Sequence, residues 1–273
     1  MFFRENGASV DLVDLYRGRS VFVVLNGPSF QEVDHSLLRQ PGIVTFGVNN
    51  GAHSFRPNLW ACVDDPTRFM NSIWADPCIT KFVPMAHFRK PIWDAGAGAC
   101  SKESVADFPN VVGFRRNEAF EATQWLNEPT INWGNHADRG GGRSVLLAVL
   151  RISYLLGFRK VYLLGCDFHM DEASKYWFAE GRTPTAIKNN QNSYRILTRY
   201  FEQLAPHFAS AGFEVYNCTK DSKLTVFPSM PLEDAIASAR VDVSASTEGM
   251  YVDRYKLQAD LAGAPEKKKP ATP

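Results

Sequence analysis

Val21-Phe22-Val23-Val24-Leu25-Asn26-Gly27-Pro28-Ser29 decides the fold. Its first five residues form a short, continuous apolar run of β-branched and aromatic side chains. That pattern predicts a strand buried on both faces, as in a parallel sheet. The run ends in a Gly-Pro turn, where Gly permits unusual φ and Pro forbids continued sheet pairing. A tight polar turn at the carboxyl end of a buried strand is where open α/β sheets bind ligands. A similar arrangement recurs later, where Arg139-Gly140-Gly141-Gly142-Arg143-Ser144 opens an apolar helix. That helix leads through Gly157 to Val161-Tyr162-Leu163-Leu164-Gly165 and then Cys166-Asp167. The two segments together predict a nucleotide-binding sheet with polar loops along one edge.

Further elements extend the series. Ile43 to Phe46 reads as a second strand ending in Gly47-Val48-Asn49-Asn50-Gly51, and Leu59 to Val63 as a third ending in Asp64-Asp65-Pro66. Short strands with small or polar ends fit β-α-β units. Lys81 to Pro84 and Val111 to Phe114 are further strand candidates, and Asp11 to Arg17 and Val33 to Leu38 read as short helices. Pro91 to Gly142 is irregular, which predicts a substrate-side functional loop. Ser144 to Leu156 is apolar nearly all round, with Ser144 placed as N-cap and Gly157 as the residue after the helix. A second helix is predicted from about Asn192 to Ala209, capped by Asn192. Ile196, Leu197, Tyr200, Phe201, Leu204 and Phe208 form one face of it. Phe213 to Tyr216 reads as the last strand, ending at Asn217, and Pro231 to Ala237 as a short helix. The predicted division is an α/β domain over 1–243 with a loop-rich insertion at about 85–142. A polar tail over 244–273, predicted to be disordered, follows.

Composition narrows the function classes. At 45% hydrophobic and 12% aromatic residues, the 273-residue chain can build a sizeable core. A formal net charge of +1 gives no overall field for a polyanion. A local groove of Arg115, Arg116, Arg139, Arg143 and Arg182 remains open. None of the five cysteines falls in a CxxC pair, and three follow or sit inside apolar stretches as reduced core thiols do, against a disulfide framework or structural zinc. The start lacks the apolar stretch of a secretory signal, and the longest apolar helix is interrupted by Arg151 and too short for a bilayer. A cytoplasmic location is the expectation.

Several residues suit ligand chemistry. The amide of Asn26 and the backbone of Gly27, Pro28 and Ser29 can grip a phosphate or ribose, or merely turn the chain. Asn49 and Asn50 suit the edge of a base or sugar, or a left-handed turn. Asp64 and Asp65 read as an N-cap with a solvated neighbour, or as a pair holding magnesium on a diphosphate. Arg139 and Arg143 offer bidentate grips on phosphate. Asp167 directly follows a buried strand, where an unpaired carboxylate is costly, so it caps a loop, meets a ligand or orients His169. His136, Asn217 and Ser222 are further candidates.

These segments in order resemble the bacterial sialyltransferases that make lipooligosaccharide and polysialic acid. The wider superfamily includes flagellin-modifying glycosyltransferase-like proteins and archaeal hydroxymethylpterin diphosphokinases. Leu25-Asn26-Gly27-Pro28-Ser29-Phe30 is similar to the signature Gly-Asn-Gly-Pro-Ser-Leu, and Gly47-Val48-Asn49 to a second-strand Cys-Asn element. The span from Gly142-Arg143-Ser144 to Asp167-Phe168 resembles a Ser-Gly element, buried helix, strand and Gly-Ile-Asp-Phe. Lys175 to Phe178 resembles Ser-Tyr-Ala-Phe, and Tyr216 to Phe227 the ending Tyr-Cys-x-x-x-Ser-Leu-Leu. The resemblance covers about residues 20–235. It implies a Rossmann-like, mostly parallel sheet flanked by helices, a GT-A-like variant. It also implies sugar transfer from a nucleotide-sugar to a hydroxyl acceptor, with no cofactor required. Asn26 and Asn49 would contact the donor, with Gly142 and Ser144 beside it.

Two tyrosines that help the nucleotide phosphate depart would correspond to His169 and Tyr176, with Arg143 assisting. The family's catalytic histidine precedes the last long helix, where this chain has Lys188-Asn189-Asn190-Gln191-Asn192. That departure moves the base to His169 or His136. A hydroxymethylated DNA base as acceptor, a diphosphokinase with magnesium on Asp64 and Asp65, a non-catalytic nucleotide-binding module and a homo-oligomer stay open.

Overall fold

The computed structural model describes residues 2–115, 120–125, 144–170, 176–181, 183–250 and 252–263. The strands are β1 Phe2–Phe3, β2 Ser9–Val10, β3 Ser20–Val24, β4 Thr45–Val48, β5 Leu59–Ala61 and β6 Thr80–Pro84. They continue with β7 Pro91–Asp94, β8 Ala99–Ser104, β9 Val111–Phe114, β10 Lys160–Leu164 and β11 Glu214–Asn217. The α-helices are α1 Asn71–Ala75, α2 Val145–Leu155, α3 Pro184–Ser210, α4 Leu232–Ala239 and α5 Arg254–Gly263. The chain divides into two compact units, 1–241 and 242–273.

Nine strands form one sheet in the order β11-β10-β3-β4-β5-β6-β9-β1-β2. Every pairing from β11 to β9 is parallel, and β1 and β2 add an antiparallel edge. The apolar run of β3 lies at its heart because it has two faces to bury. Val21 and Val23 join the cluster containing α2 and the apolar face of α3, whereas Phe22 and Val24 join the cluster containing Ala235 and Ile236 of α4. This alternation within an unbroken apolar run is what a covered parallel strand requires. Helix α2 is built as its sequence indicates: the Ser144 side chain accepts from Leu146 N at 3.1 Å. Gly157 follows its end with φ +95°.

The differences have local causes. Val33 to Leu38 is no α-helix: it follows a 3-10 turn at Pro28–Glu32 and runs into a second at Leu37–Arg39. The Asp34 carboxylate accepts from Ser36 N at 2.9 Å, a local bond that competes with helix. Asp11 to Arg17 is turn rather than helix, with Asp14 in the left-handed region at φ 59°. The span read as a loop-rich insertion contributes β9 to the main sheet and a separate β7–β8 hairpin. No strand signal marked the hairpin because β8 is exposed or half-exposed throughout. Helix α3 starts at Pro184, not Asn192; proline suits a first helical position. In the second unit, where disorder was expected, α5 forms with Asp253 Oδ1 accepting from Tyr255 N and Lys256 N, each at 3.0 Å. Capping of this kind is local and needs no packed core. Among the described residues, no helix is long and apolar enough to cross a membrane.

A buried cation ties down the β5–β6 side. Lys81 is fully buried, and its Nζ donates to the carbonyls of Asp76, Ile79 and Pro109 at 2.6, 3.0 and 2.9 Å. Burial pushes its ammonium down to about 8. Lys81→Met would keep the stem's packing and strand three carbonyls. We expect this variant to lose about 3 kcal/mol of stability in denaturant unfolding at pH 7.

Candidate functional site

The sheet changes direction at β3. From there the chain builds outward through β4, β5 and β6, then returns to place β10 and β11 on the opposite side. The crevice between the loops after β3 and β10 is therefore the topological switch point, where such sheets take ligands. The two loops meet closely. Leu25 N donates to Leu164 O and Gly27 N to Gly165 O, both at 2.9 Å. Ser29 Oγ donates to Asp167 Oδ2 at 2.8 Å and Ser29 N to Oδ1 at 3.3 Å.

Gly27 has φ −67° and ψ 150°, so the turn needs no unusual φ, contrary to the sequence reading. Glycine is required by space: a Cβ there would lie 1.9 Å from Asp167 Oδ2 and 2.4 Å from Gly165 O. Burial raises the Asp167 carboxyl above its ordinary pKa, and the two bonds from Ser29 oppose that rise. Asp167 thus fastens the two loops together.

Three cavities that share lining residues run along this edge. The first, about 150 Å³, is lined by Gly27, Asp167, Phe168, His169, Tyr176 and Tyr194 among others. The second, about 300 Å³, shares Asn26, Ser144, Tyr176 and Tyr194 with the first and adds Asn49, Asn50, Asp64 and Arg68. The third, about 560 Å³, continues from Asn49, Asn50 and Arg68 to His53, Phe178 and Glu180. Asn26, Asn49 and Tyr176, far apart in sequence, therefore share one cleft.

The polar groups of this cleft are unevenly satisfied. Asn26 Oδ1 and Asn49 Oδ1 are buried with no hydrogen-bond partner among the described residues. Asn49 is left-handed at φ 44°, and its Nδ2 donates to Asp64 Oδ2 at 3.4 Å. Phe168 is also left-handed at φ 54°, a costly conformation for a bulky residue and one that recurs at functional sites. Asn50 Nδ2 donates to Glu180 Oε2 at 3.2 Å, while Arg68 lies 3.1 Å from Asp64 and 3.5 Å from Glu180. Tyr176 stacks on Phe178 with ring centroids 5.2 Å apart.

Asp64 and Asp65 do not act as a pair. Asp64 is engaged with Arg68 and Asn49, and Asp65 with Lys90 Nζ at 2.8 Å and Thr67 Oγ1 at 2.7 Å. Lys90 and Thr67 hold the Asp65 carboxyl down to about 2. Among the described residues, no group of three or more His, Cys, Asp or Glu side chains is placed to hold a metal ion. Each carboxylate of the pair has its own cation beside it.

Other candidates have structural duties. Pro28 starts a 3-10 turn, and Ser144 caps α2 while also lining the cleft. Asn217 is buried, and its amide donates to Ser222 Oγ at 2.9 Å and Leu224 O at 3.3 Å. Ser222 in turn donates to Cys166 O, so Asn217 and Ser222 tie the loop after β11 to the loop after β10. His136, Gly142 and Arg143, with Arg116, Arg139, Lys175 and Arg182, lie outside the described residues. Sequence reading missed Arg68 and Glu180, as well as Asn190, Gln191, Ser193 and Tyr194 on α3. Asn190 and Tyr194 stand in helical register with Leu197 and Phe201, so correct placement of the start of α3 would have exposed them.

No protein-family model and no curated protein sequence matches the chain. Solved structures do. The sialyltransferase CstII from Campylobacter jejuni, in complex with cytidine-5'-monophosphate, is 14% identical with a TM-score of 0.44, over 78% of this chain and 85% of that one. A CST-II structure with trisaccharide acceptor and CMP is 16% identical with a TM-score of 0.43, over 77% of this chain and 85% of that one. The likeness is one of fold.

The close approach at the switch point is testable. Gly27→Ala forces a methyl group onto Asp167 and Gly165, and we expect a loss of about 3 kcal/mol, read as a lower thermal midpoint.

Proposed function

We propose that the chain is a glycosyltransferase that moves a sugar from a nucleotide-activated donor to a hydroxyl of a glycan acceptor. The observation that carries this reading is the convergence of Asn26, Asn49 and Tyr176 on one cleft at the switch point. The orphaned amide oxygens sharpen it. A buried acceptor without a donor is costly, so Asn26 Oδ1 and Asn49 Oδ1 call for a ligand bearing N–H or O–H groups. Ribose hydroxyls and exocyclic amines of a nucleotide supply them.

Sugar transfer needs charge stabilisation where the phosphate departs. Tyr176 and His169 both line the 150 Å³ cavity beside the Gly27 and Asp167 loops. Neutralisation of Asp64 by Arg68 and of Asp65 by Lys90 favours transfer without a metal over magnesium-dependent diphosphokinase chemistry. Arg68 is already shared between two carboxylates, which favours a glycan over a DNA acceptor, whose phosphates need unpaired cations.

A thermal-shift screen against CMP-, UDP- and GDP-sugars and ATP tests the donor. At a hundred times its Kd a true donor stabilises by about 2.7 kcal/mol, and stabilisation by ATP alone would overturn the reading. Asn49→Ala should weaken donor binding about tenfold. His169→Ala should lower kcat about 100-fold while changing donor affinity little. Unchanged turnover in that variant would remove His169 from the reaction.

A further inference from the structure

A separate cavity opens at the amino ends of β5, β6 and β9, the end of the sheet away from the cleft. It measures about 510 Å³ and is lined by the first residue of each strand, Leu59, Thr80 and Val111. That volume compares with about 560 Å³ for the largest cavity of the cleft and suits a small molecule. None of its lining residues belongs to the three cleft cavities.

The lining is divided in chemistry. Phe82, Phe88, Phe108 and Leu156 supply an apolar wall, with Phe82 and Leu156 fully buried in the main core. Leu15 also lines the cavity and is 60% exposed, so the cavity reaches solvent there. Arg4, Glu5 and Tyr16 line it as well. Glu5 lies 3.7 Å from Arg89, so the charge that answers it is not Arg4. Among the described residues, the Arg4 side chain has no ion pair or hydrogen bond, and the Tyr16 hydroxyl has no hydrogen bond. Burial pushes the Tyr16 phenol above its ordinary pKa, so it stays an O–H donor at neutral pH.

We propose that this cavity binds an amphipathic anion, with its apolar body against the phenylalanine wall and its carboxylate or phosphate head held by Arg4 and Tyr16. Removal of the apolar body from water drives binding. The guanidinium, which only donates, fits an anionic head in a bidentate grip. A neutral apolar ligand would leave the Arg4 charge unanswered, and a nucleotide would set its polar surface against three phenylalanines. The site lies apart from the cleft and does not depend on the reaction proposed there.

Isothermal titration of the full chain with decanoate, decyl phosphate and decanol, each below its micelle-forming concentration, tests the site. We expect one anion bound per chain, with decanol weaker by about tenfold or more. The order of the two anions tells a fatty-acid source from a lipid-phosphate source. Arg4→Gln should bring both anions down to the level of decanol. Leu15→Glu sets a like charge at the mouth and should weaken the anions about tenfold, with little change for decanol. Both positions are exposed, so the variants should keep the wild-type thermal midpoint. Equal binding of decanol and the anions, several molecules per chain, or unchanged affinity in Arg4→Gln would each overturn the proposal. The titration needs no turnover, so its outcome stands whether or not the chain transfers a sugar.

Discussion

The contact between the loops after β3 and β10 is the constraint on which the rest of the site depends. Gly27 comes so near Gly165 and Asp167 that no side chain fits between them, and Ser29 locks the approach through the Asp167 carboxylate. A lone carboxylate in that half-buried place would be costly. With two donors from Ser29 it becomes a fastener, and the two loops form one rigid rim. Asn26 on one side and His169 on the other are placed by that rim.

The cleft beyond it is assembled from groups held in unfavourable states. Asn49 and Phe168 are in left-handed conformations, and the Asn26 and Asn49 amide oxygens are buried without partners among the described residues. Such costs persist only where surrounding structure over-determines them. Here a parallel sheet with apolar clusters on both faces supplies that rigidity. The electrostatics are balanced rather than strongly charged. Arg68 is shared between Asp64 and Glu180, so the described part of the cleft favours neutral, hydroxyl-rich groups over a second polyanion.

Much of the scaffold was legible because burial leaves a mark on sequence. The unbroken apolar run of β3, the all-round apolar α2 and its Ser144 cap were each read near their observed bounds. The β7–β8 hairpin was not, because its exposed second strand has no apolar alternation to detect. The early turns of α3 were missed for a related reason. Pro184 to Gln191 present few apolar residues, so the helical period only became visible once Leu197 and Phe201 entered the core.

The resemblance alone set Tyr176 apart, but the chain's own letters determined a parallel sheet with polar turns at its carboxyl edge and marked Asn26 and Asn49 there as ligand candidates. That much follows from local rules: buried strands must be apolar, and turns must be small or polar. Tertiary structure alone decided that these residues share a cleft, and that Gly27 is needed for space and not for φ. It also showed that Asp64 and Asp65 answer to different cations. These outcomes depend on distances between segments far apart in sequence, and no local pattern records how near a folded chain brings them.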